Sequence, residues 1–84
     1  MKLVTEISLY PLNEEYIEPI KGFIERINQY EGLEVKTSMT STTVAGEFQL
    51  VMDVLSKEMQ VTYEQTGQAI FVCKFLNGDK MGSK

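Results

Sequence analysis

Residues 33–47 read LEVKTSMTSTTVAGE, and this stretch carries the clearest structural signal in the chain. Every second residue from Leu33 to Met39 is apolar or a threonine, and a second short run follows from Thr42 to Glu47. Because only a few residues separate these two strand-like runs, we predict a β-hairpin. Residues 40–43 are all Ser or Thr, which also fits a turn that leads into a β-branched strand.

The segment before the hairpin predicts a strand and then a helix. Residues 2–12 alternate in polarity and close at Pro11, as a strand does. From about Asn13 the period changes, and we expect a helix that ends at Gly32. The apolar residues at helical spacing are Ile17, Ile20, Phe23, Ile24 and Ile27.

The segment after the hairpin predicts a second helix and a last strand. The helical period returns in Phe48, Val51, Met52, Leu55 and Met59. We expect Met52 and Met59 to be core residues and Gly67 to end the helix. Residues 68–76 form a β-rich run, and a tail of Gly, Ser and Lys follows.

The predicted element order is therefore βαββαβ. Its simplest arrangement is the ferredoxin-like α+β fold, in which a four-stranded antiparallel sheet carries both helices on one face. A chain of 84 residues is large enough for one core only. We expect a single domain over residues 1–77 and a flexible C-terminal tail over residues 78–84.

The last predicted strand is apolar on both sides. Phe71, Cys73 and Phe75 fall on one side, and Ile70, Val72 and Leu76 fall on the other. Val4 and Tyr10 extend the second apolar side onto the first strand. An exposed apolar sheet face is commonly an interface, so we expect a homodimer or tetramer that assembles sheet against sheet. The simpler alternative is that Ile70 and Val72 express β-propensity at an exposed face.

Composition argues against several classes of protein. The net charge of −4 and the scattered Lys and Arg residues argue against nucleic-acid binding. No apolar stretch approaches the length that spans a bilayer, and the N-terminus lacks the apolar segment of a signal peptide. The single cysteine, Cys73, cannot form an internal disulfide. We therefore expect a cytoplasmic protein that binds neither membrane nor nucleic acid.

Sequence patterns that support catalysis are missing. The chain has no histidine, and therefore lacks the usual general base near neutral pH and the commonest metal ligand. It also lacks the glycine-rich phosphate loops and paired-cysteine metal motifs. The Glu14–Glu15 pair fits a helix N-terminus better than it fits acid–base chemistry. We expect a binding protein that is not an enzyme and uses no cofactor or metal.

Two motifs resemble those of a known family. Residues 7–12, ISLYPL, end the first strand, and residues 42–47, TTVAGE, precede the helical run of residues 48–55. Together they resemble the small thiamine-binding proteins related to YkoF, over about residues 2–76. The resemblance implies a ferredoxin-like fold and non-catalytic binding of thiamine or its hydroxymethylpyrimidine moiety. Because YkoF carries two such domains in tandem, it also implies that this single domain obtains its second copy by self-association.

The hydroxyl-rich hairpin is the best candidate for such a ligand site. An aminopyrimidine is a flat ring with donors and acceptors, which suits an aromatic or thioether surface beside hydroxyls or a carboxylate. The candidate residues are Glu6, Tyr10, Ser38, Met39, Thr40, Thr42 and Thr43. Glu6 or Glu47 would favour the cationic thiazolium of thiamine. Glu47 also fits the simpler role of a negative charge at the N-terminus of the second helix.

Other modules share the βαββαβ order. The main alternative is an ACT-like regulatory module, which binds an amino acid or another small metabolite at a subunit interface. Such a module is expected to have a glycine-rich loop after the first strand, and Pro11-Leu12-Asn13 does not supply one. An RNA-recognition module needs basic residues and exposed aromatics on its central strands. An acylphosphatase-like enzyme needs an arginine near the first strand, whereas the only arginine, Arg26, lies in the first predicted helix.

Overall fold

The computed structural model describes residues 1–78 and has the βαββαβ order that the sequence predicts. The elements are β1 (Lys2–Pro11), α1 (Ile17–Ile27), β2 (Glu34–Thr37), β3 (Thr42–Glu47), α2 (Phe48–Thr66) and β4 (Ala69–Asn77). The strands form one antiparallel sheet in the order β2-β3-β1-β4. This confirms the ferredoxin-like α+β fold. All but the first residue of the predicted tail, residues 78–84, lies outside the described part of the chain.

Both helices cover the same face of the sheet. Leu3 and Ile7 of β1 and Val44 of β3 join Phe23 and Ile27 of α1 in one buried cluster, which Val51, Val54 and Leu55 of α2 complete. Phe71 of β4 packs against this cluster, with its ring 5.2 Å from that of Phe23. Cys73 lies on the same side of β4, and its partial burial raises the pKa of its thiol. The helix-covered face of the sheet is therefore the core.

Helix α1 is shorter than predicted at both ends. The Asn13 side chain accepts a hydrogen bond from the Glu15 backbone N–H at 3.0 Å, so Asn13 forms a turn before the helix instead of starting it. Glu14 and Glu15 consequently precede α1. At the other end, the Asn28 side chain donates to the Ile24 carbonyl at 2.9 Å and closes the helix. Gly32, which we expected to end the helix, has a φ of 91° and belongs to the turn before β2.

The hairpin and α2 agree better with the sequence. The strands β2 and β3 pair from Glu34–Ala45 to Thr37–Thr42, which confirms the hairpin, although Met39 lies in its loop and not in a strand. Gly67 ends α2 with a φ of 88°, as predicted. Met59 packs against the core, whereas Met52 is 36% exposed and is not the core residue we expected.

A polar network fastens α1 to α2. The Arg26 guanidinium donates from Nε to a Glu58 carboxylate oxygen at 2.5 Å and from Nη2 to the Thr62 hydroxyl at 2.8 Å. The Tyr30 hydroxyl donates to the other Glu58 oxygen at 2.6 Å. Burial would raise the pKa of Glu58, but the hydrogen bonds from Tyr30 and Arg26, together with the positive charge of Arg26, hold it below its ordinary value. Glu58 is therefore ionised at neutral pH, and its charge is paired.

Neither helix of residues 1–78 covers the opposite face of the sheet. Here four residues of β1 face four residues of β4, and we call these eight residues the open face. Its rows are Val4–Leu76, Glu6–Lys74, Ser8–Val72 and Tyr10–Ile70. Four of its five apolar or aromatic side chains are exposed: Tyr10 at 54%, Ile70 at 48%, Val72 at 47% and Leu76 at 44%. This confirms that β4 is apolar on both sides.

Candidate functional site

The topology brings three separate segments together at one end of the sheet. β1 and β3 are antiparallel, and so are β2 and β3, so β1 and β2 run in the same direction. The end of β1, the start of α1 and the loop of the β2–β3 hairpin therefore meet. The backbone is held there because the Ser8 hydroxyl of β1 donates to the Thr40 carbonyl in the hairpin loop at 3.2 Å.

A cleft of about 510 Å³ lies between these three segments. Its apolar wall comes from β1 and α1, and its polar wall comes from the hairpin. The lining residues are Ile7, Leu9, Tyr10, Pro11, Tyr16, Ile20, Phe23, Ile24, Thr37, Ser38, Met39, Thr40, Ser41 and Thr42. A volume of this size falls in the usual range for small-molecule sites, about 300–1,000 Å³. The cleft is thus large enough for a small heteroaromatic molecule.

The hydroxyls at the rim differ in how far the protein itself uses them. The Thr37 and Thr42 hydroxyls lie 3.3 Å apart and share a hydrogen bond. Ser38 donates to the Ser41 carbonyl at 3.2 Å. Within residues 1–78, the side-chain hydroxyls of Thr40 and Tyr16 make no hydrogen bond to the chain. The rim therefore has both preorganised hydroxyls and hydroxyls that are available to a ligand.

The structure places five of the eight candidate residues from the sequence at this cleft. They are Tyr10, Ser38, Met39, Thr40 and Thr42. Glu6 and Thr43 do not line it, because they face each other across β1 and β3 on the side of the sheet without helices. Glu6 instead accepts a hydrogen bond from Ser41 at 3.1 Å and lies 3.7 Å from the Lys74 ammonium.

Glu47, the eighth candidate residue, lies at the other end of β3. Its carboxylate accepts hydrogen bonds from the backbone N–H groups of Gln49 at 3.0 Å and Leu50 at 3.2 Å. These contacts make Glu47 the N-cap of α2, where a carboxylate also matches the positive end of the helix dipole. The geometry therefore supports the simpler role for Glu47, that of a negative charge at the N-terminus of α2.

The TTVAGE motif combines a cleft residue with residues that hold the fold. Thr42 lines the cleft, and Glu47 caps α2. Gly46 lies so close to the turn before β2 that a Cβ at this position would be 2.9 Å from both the Gly32 carbonyl oxygen and a Leu33 methyl group. The glycine is therefore needed for close packing of two backbone segments. Only the start of the motif bears directly on a ligand.

Sequence reasoning missed the contribution of α1 to the site. Tyr16, Ile20, Phe23 and Ile24 form one wall of the cleft. From the sequence, the last three were identified only as apolar residues at helical spacing. That spacing identifies the buried side of a helix but does not show where that side leaves a gap. The available signal was topological, since a βαββαβ order already brings the first helix and the hairpin to the same end of the sheet.

The cleft is uncharged. None of its fourteen lining residues is Asp, Glu, Lys or Arg. Residues 1–78 contain no group of three or more His, Cys, Asp or Glu side chains that could hold a metal ion. Among the same residues, no helix is both long enough and apolar enough to cross a membrane. The site therefore favours a ligand held by shape, apolar contact and neutral hydrogen bonds.

Several solved structures are similar to this chain. A Streptococcus pneumoniae protein superposes with a TM-score of 0.87 at 20% identity, over 96% of this chain and 91% of that one. A Thermotoga maritima protein, provisionally assigned to thiamine biosynthesis or salvage, gives a TM-score of 0.82 at 24% identity, over 98% and 87% of the two chains. A hypothetical protein of Methanocaldococcus jannascii gives 0.80 at 20% identity, over 94% and 82%. At these identities the likeness shows a shared fold.

The sequence itself identifies the family. Comparison with curated proteins gives no significant match. The sequence model of the YKOF-related Family, in contrast, matches residues 3–77, which include all the strands and helices described above except Lys2, the first residue of β1. The match agrees with the resemblance carried by the ISLYPL and TTVAGE motifs. The chain therefore belongs to the YKOF-related family.

Proposed function

We propose that the cleft between α1 and the β2–β3 hairpin binds the pyrimidine ring of thiamine, or free hydroxymethylpyrimidine, without catalysing a reaction. The observation that carries this proposal is the uncharged cleft itself, with apolar side chains on one wall and hydroxyls on the other. A flat aminopyrimidine matches this division, because its ring faces are apolar and its amine and ring nitrogens need hydrogen-bond partners.

The family and one structural neighbour support a thiamine-related ligand. The chain belongs to the YKOF-related family, and the Thermotoga maritima neighbour carries a provisional assignment to thiamine biosynthesis or salvage. The chemistry of the cleft narrows the choice within thiamine. A cationic thiazolium would find no carboxylate among the lining residues, whereas a neutral pyrimidine needs none. We therefore assign recognition to the pyrimidine.

The same chemistry weighs against the ACT-like alternative. A free amino acid carries an ammonium and a carboxylate, and burying either charge without a partner is costly. The lining residues offer no charged partner for either group. They also include no His, Cys, Asp, Glu or Lys side chain that could act as a general acid or base. A non-catalytic site for a neutral ring fits better.

Calorimetry with the separated halves of thiamine tests the assignment. We expect hydroxymethylpyrimidine and thiamine to bind with similar affinity and the isolated thiazole alcohol to bind weakly or not at all. Binding of the thiazole half without the pyrimidine half would contradict the proposal. Thiamine and its phosphates should also be recovered unchanged after incubation with the protein, and release of phosphate beyond a heat-killed control would show that the protein is an enzyme.

Two neighbouring threonines provide a matched pair of variants. Thr42 and Thr43 are adjacent in β3, but only Thr42 lines the cleft. Replacing either by valine keeps the branched shape and removes one hydroxyl. We expect Thr42→Val to weaken pyrimidine binding by about 1–3 kcal/mol, because a polar ligand group loses its partner. Thr43→Val should leave the affinity unchanged, and an equal loss in both variants would place the ligand elsewhere.

A further inference from the structure

We propose that Glu6 and Ser8 are positioning residues for the cleft, which hold the hairpin loop of residues 38–41 in place for a ligand without touching the ligand themselves. The inference rests on the proposed function, since it concerns the same site. All four residues of the loop line the cleft, whereas Glu6 and Ser8 do not. Both belong to β1 and lie on the open face of the sheet.

The pairing between strands ends before the loop begins. The last pair between β1 and β3 is Ile7–Thr42, and the last pair between β2 and β3 is Thr37–Thr42. Strand β1 continues for four more residues, as far as Pro11, beside the loop. Within residues 1–78, no backbone hydrogen bond joins the loop to β1. The connection between the two segments therefore depends on side chains.

Two side chains of β1 supply this connection. The Ser41 hydroxyl donates to Glu6 Oε2 at 3.1 Å, and the Ser8 hydroxyl donates to the Thr40 carbonyl at 3.2 Å. Because Glu6 and Ser8 are two residues apart in a strand, their side chains leave the same face of the sheet. They bond to adjacent residues of the loop, and two neighbouring contacts fix the direction of the loop relative to β1.

The hydrogen bonds inside the loop fix its shape but not its position. The Ser38 backbone N–H donates to the Ser41 carbonyl at 2.8 Å, and the Ser38 hydroxyl donates to the same carbonyl at 3.2 Å. Met39, the only apolar residue of the loop, is fully exposed, so its side chain gives the loop little hydrophobic anchoring. The contacts from β1 therefore decide where the Thr40 hydroxyl meets a ligand.

Glu6 acts through an acceptor oxygen and not through its charge. Its other oxygen, Oε1, lies 3.7 Å from the Lys74 ammonium, and the Lys74 side chain is 80% exposed. An ion pair so open to water contributes little. Glutamine keeps an oxygen that can accept from Ser41, whereas alanine removes it. One position thus offers both a conservative variant and a disruptive one.

Calorimetry with hydroxymethylpyrimidine measures the effect on binding. We expect Glu6→Ala, Ser41→Ala and Ser8→Ala each to weaken binding by about three- to tenfold, because the ligand must then order the loop. Glu6→Gln and Ser8→Thr should restore the wild-type affinity. Glu34→Ala is the matched control, since Glu34 is an exposed glutamate at the other end of the hairpin and its removal changes the net charge equally.

The pattern of losses separates positioning from direct contact. If Glu6 acts through Ser41, the variant that carries both alanines should lose no more affinity than either single variant. Losses that add would overturn the proposal, because Ser41 would then act on the ligand by itself. An equal loss in Glu6→Ala and Glu6→Gln would overturn it too, as would a fall in affinity that parallels a fall in Tm.

¹⁵N relaxation of the ligand-free protein separates this proposal from the proposed function. The heteronuclear NOE of the amides of residues 39–41 should fall in Glu6→Ala and Ser8→Ala and keep its wild-type value in Glu6→Gln. Unchanged loop order in the alanine variants would overturn the positioning role, whether or not a pyrimidine binds. A wild-type protein that binds no pyrimidine, with variants that show the loss of loop order, would support the positioning of the loop and contradict the proposed function alone.

Discussion

The Arg26–Glu58 contact between the helices can be tested by removing a single charge. Glu58→Gln keeps the size of the side chain and leaves an oxygen to accept from Arg26 Nε. The new amide can donate to the Tyr30 hydroxyl, which can act as acceptor. The substitution therefore removes the negative charge while preserving the packing. The contact joins α2 to α1, the helix that forms one wall of the cleft.

The expected loss follows from burial and from the partners that remain. The Glu58 side chain is 6% exposed and that of Arg26 is 24% exposed. Breaking a fully buried ion pair costs about 3–5 kcal/mol. Here Arg26 retains water and still donates to the Glu58 backbone carbonyl and the Thr62 hydroxyl. We expect a destabilisation of about 2 kcal/mol, or roughly 8–16 °C in Tm for a domain of this size.

The loss of stability in Glu58→Gln should become smaller as the pH falls. The pKa of Glu58 in the folded protein lies below its ordinary value of 4.5. A lowered carboxyl pKa means that the stabilisation is present above about pH 4.5 and disappears as the pH falls through the folded-state pKa. Protonated Glu58 resembles glutamine, so the wild type and Glu58→Gln should converge in acid. At basic pH the relevant group is Tyr30, whose pKa is raised above 10.0 by its hydrogen bond to Glu58. The contribution of this hydrogen bond to stability is therefore lost only above about pH 10, as the tyrosine ionises.

Urea unfolding followed by circular dichroism at neutral and acid pH measures this difference. Glu64→Gln is the matched control, because Glu64 is an exposed residue on the same helix and, within residues 1–78, its side chain accepts only from Gln60, at 3.3 Å. We expect Glu64→Gln to change the free energy of unfolding by less than about 0.5 kcal/mol. A Glu58→Gln loss that stays constant from neutral to acid pH would refute the electrostatic explanation.

Four further substitutions test the stability of the fold, and thermal or urea unfolding measures the effect of each. Thr5→Val should stabilise the protein by about 1 kcal/mol, because the buried Thr5 hydroxyl has no hydrogen-bond partner within residues 1–78. A loss of stability would show that the hydroxyl is satisfied. Thr62→Val should destabilise by about 1–3 kcal/mol, since Thr62 bonds both Arg26 and the Glu58 carbonyl. Gly22→Ala should stabilise the protein by about 0.5–1 kcal/mol, because alanine has the higher helix propensity. Gly46→Ala should destabilise the protein by about 1–3 kcal/mol, because the new Cβ would be too close to the Gly32 backbone. Changes of the same sign in the two variants would contradict this account.

The fold was predictable because local and long-range signals agree. The alternating run before Ser38, the β-branched run from Thr42 and the helical period from Phe48 each match the element that forms. The ends of α1 were less predictable. Asn13 can start a helix or form a turn, and its side-chain bond to Glu15 selects the turn. Gly32 tolerates positive φ in any loop, so its presence alone did not locate the end of the helix.

The candidate site was predictable only where one segment supplies it. The hydroxyls of the hairpin are adjacent in sequence, so Ser38, Thr40 and Thr42 could be found there. Which face a strand residue occupies depends on register, and this separates Thr42 from Thr43 although the two residues are chemically identical. Tyr16 could not be found from its neighbours, because its place at the cleft depends on how α1 is positioned over the sheet.

Chemical-shift mapping with hydroxymethylpyrimidine tests the proposed binding site most directly. In a titration of ¹⁵N-labelled protein, the backbone signals of residues 37–42 and of Ile20 and Ile24 should move together and saturate with one ligand per chain. The signals of Val72 and Lys74 on the open face should stay in place. Saturable shifts confined to the open face, or the absence of any shift at millimolar ligand, would contradict the assignment of the cleft as a pyrimidine site.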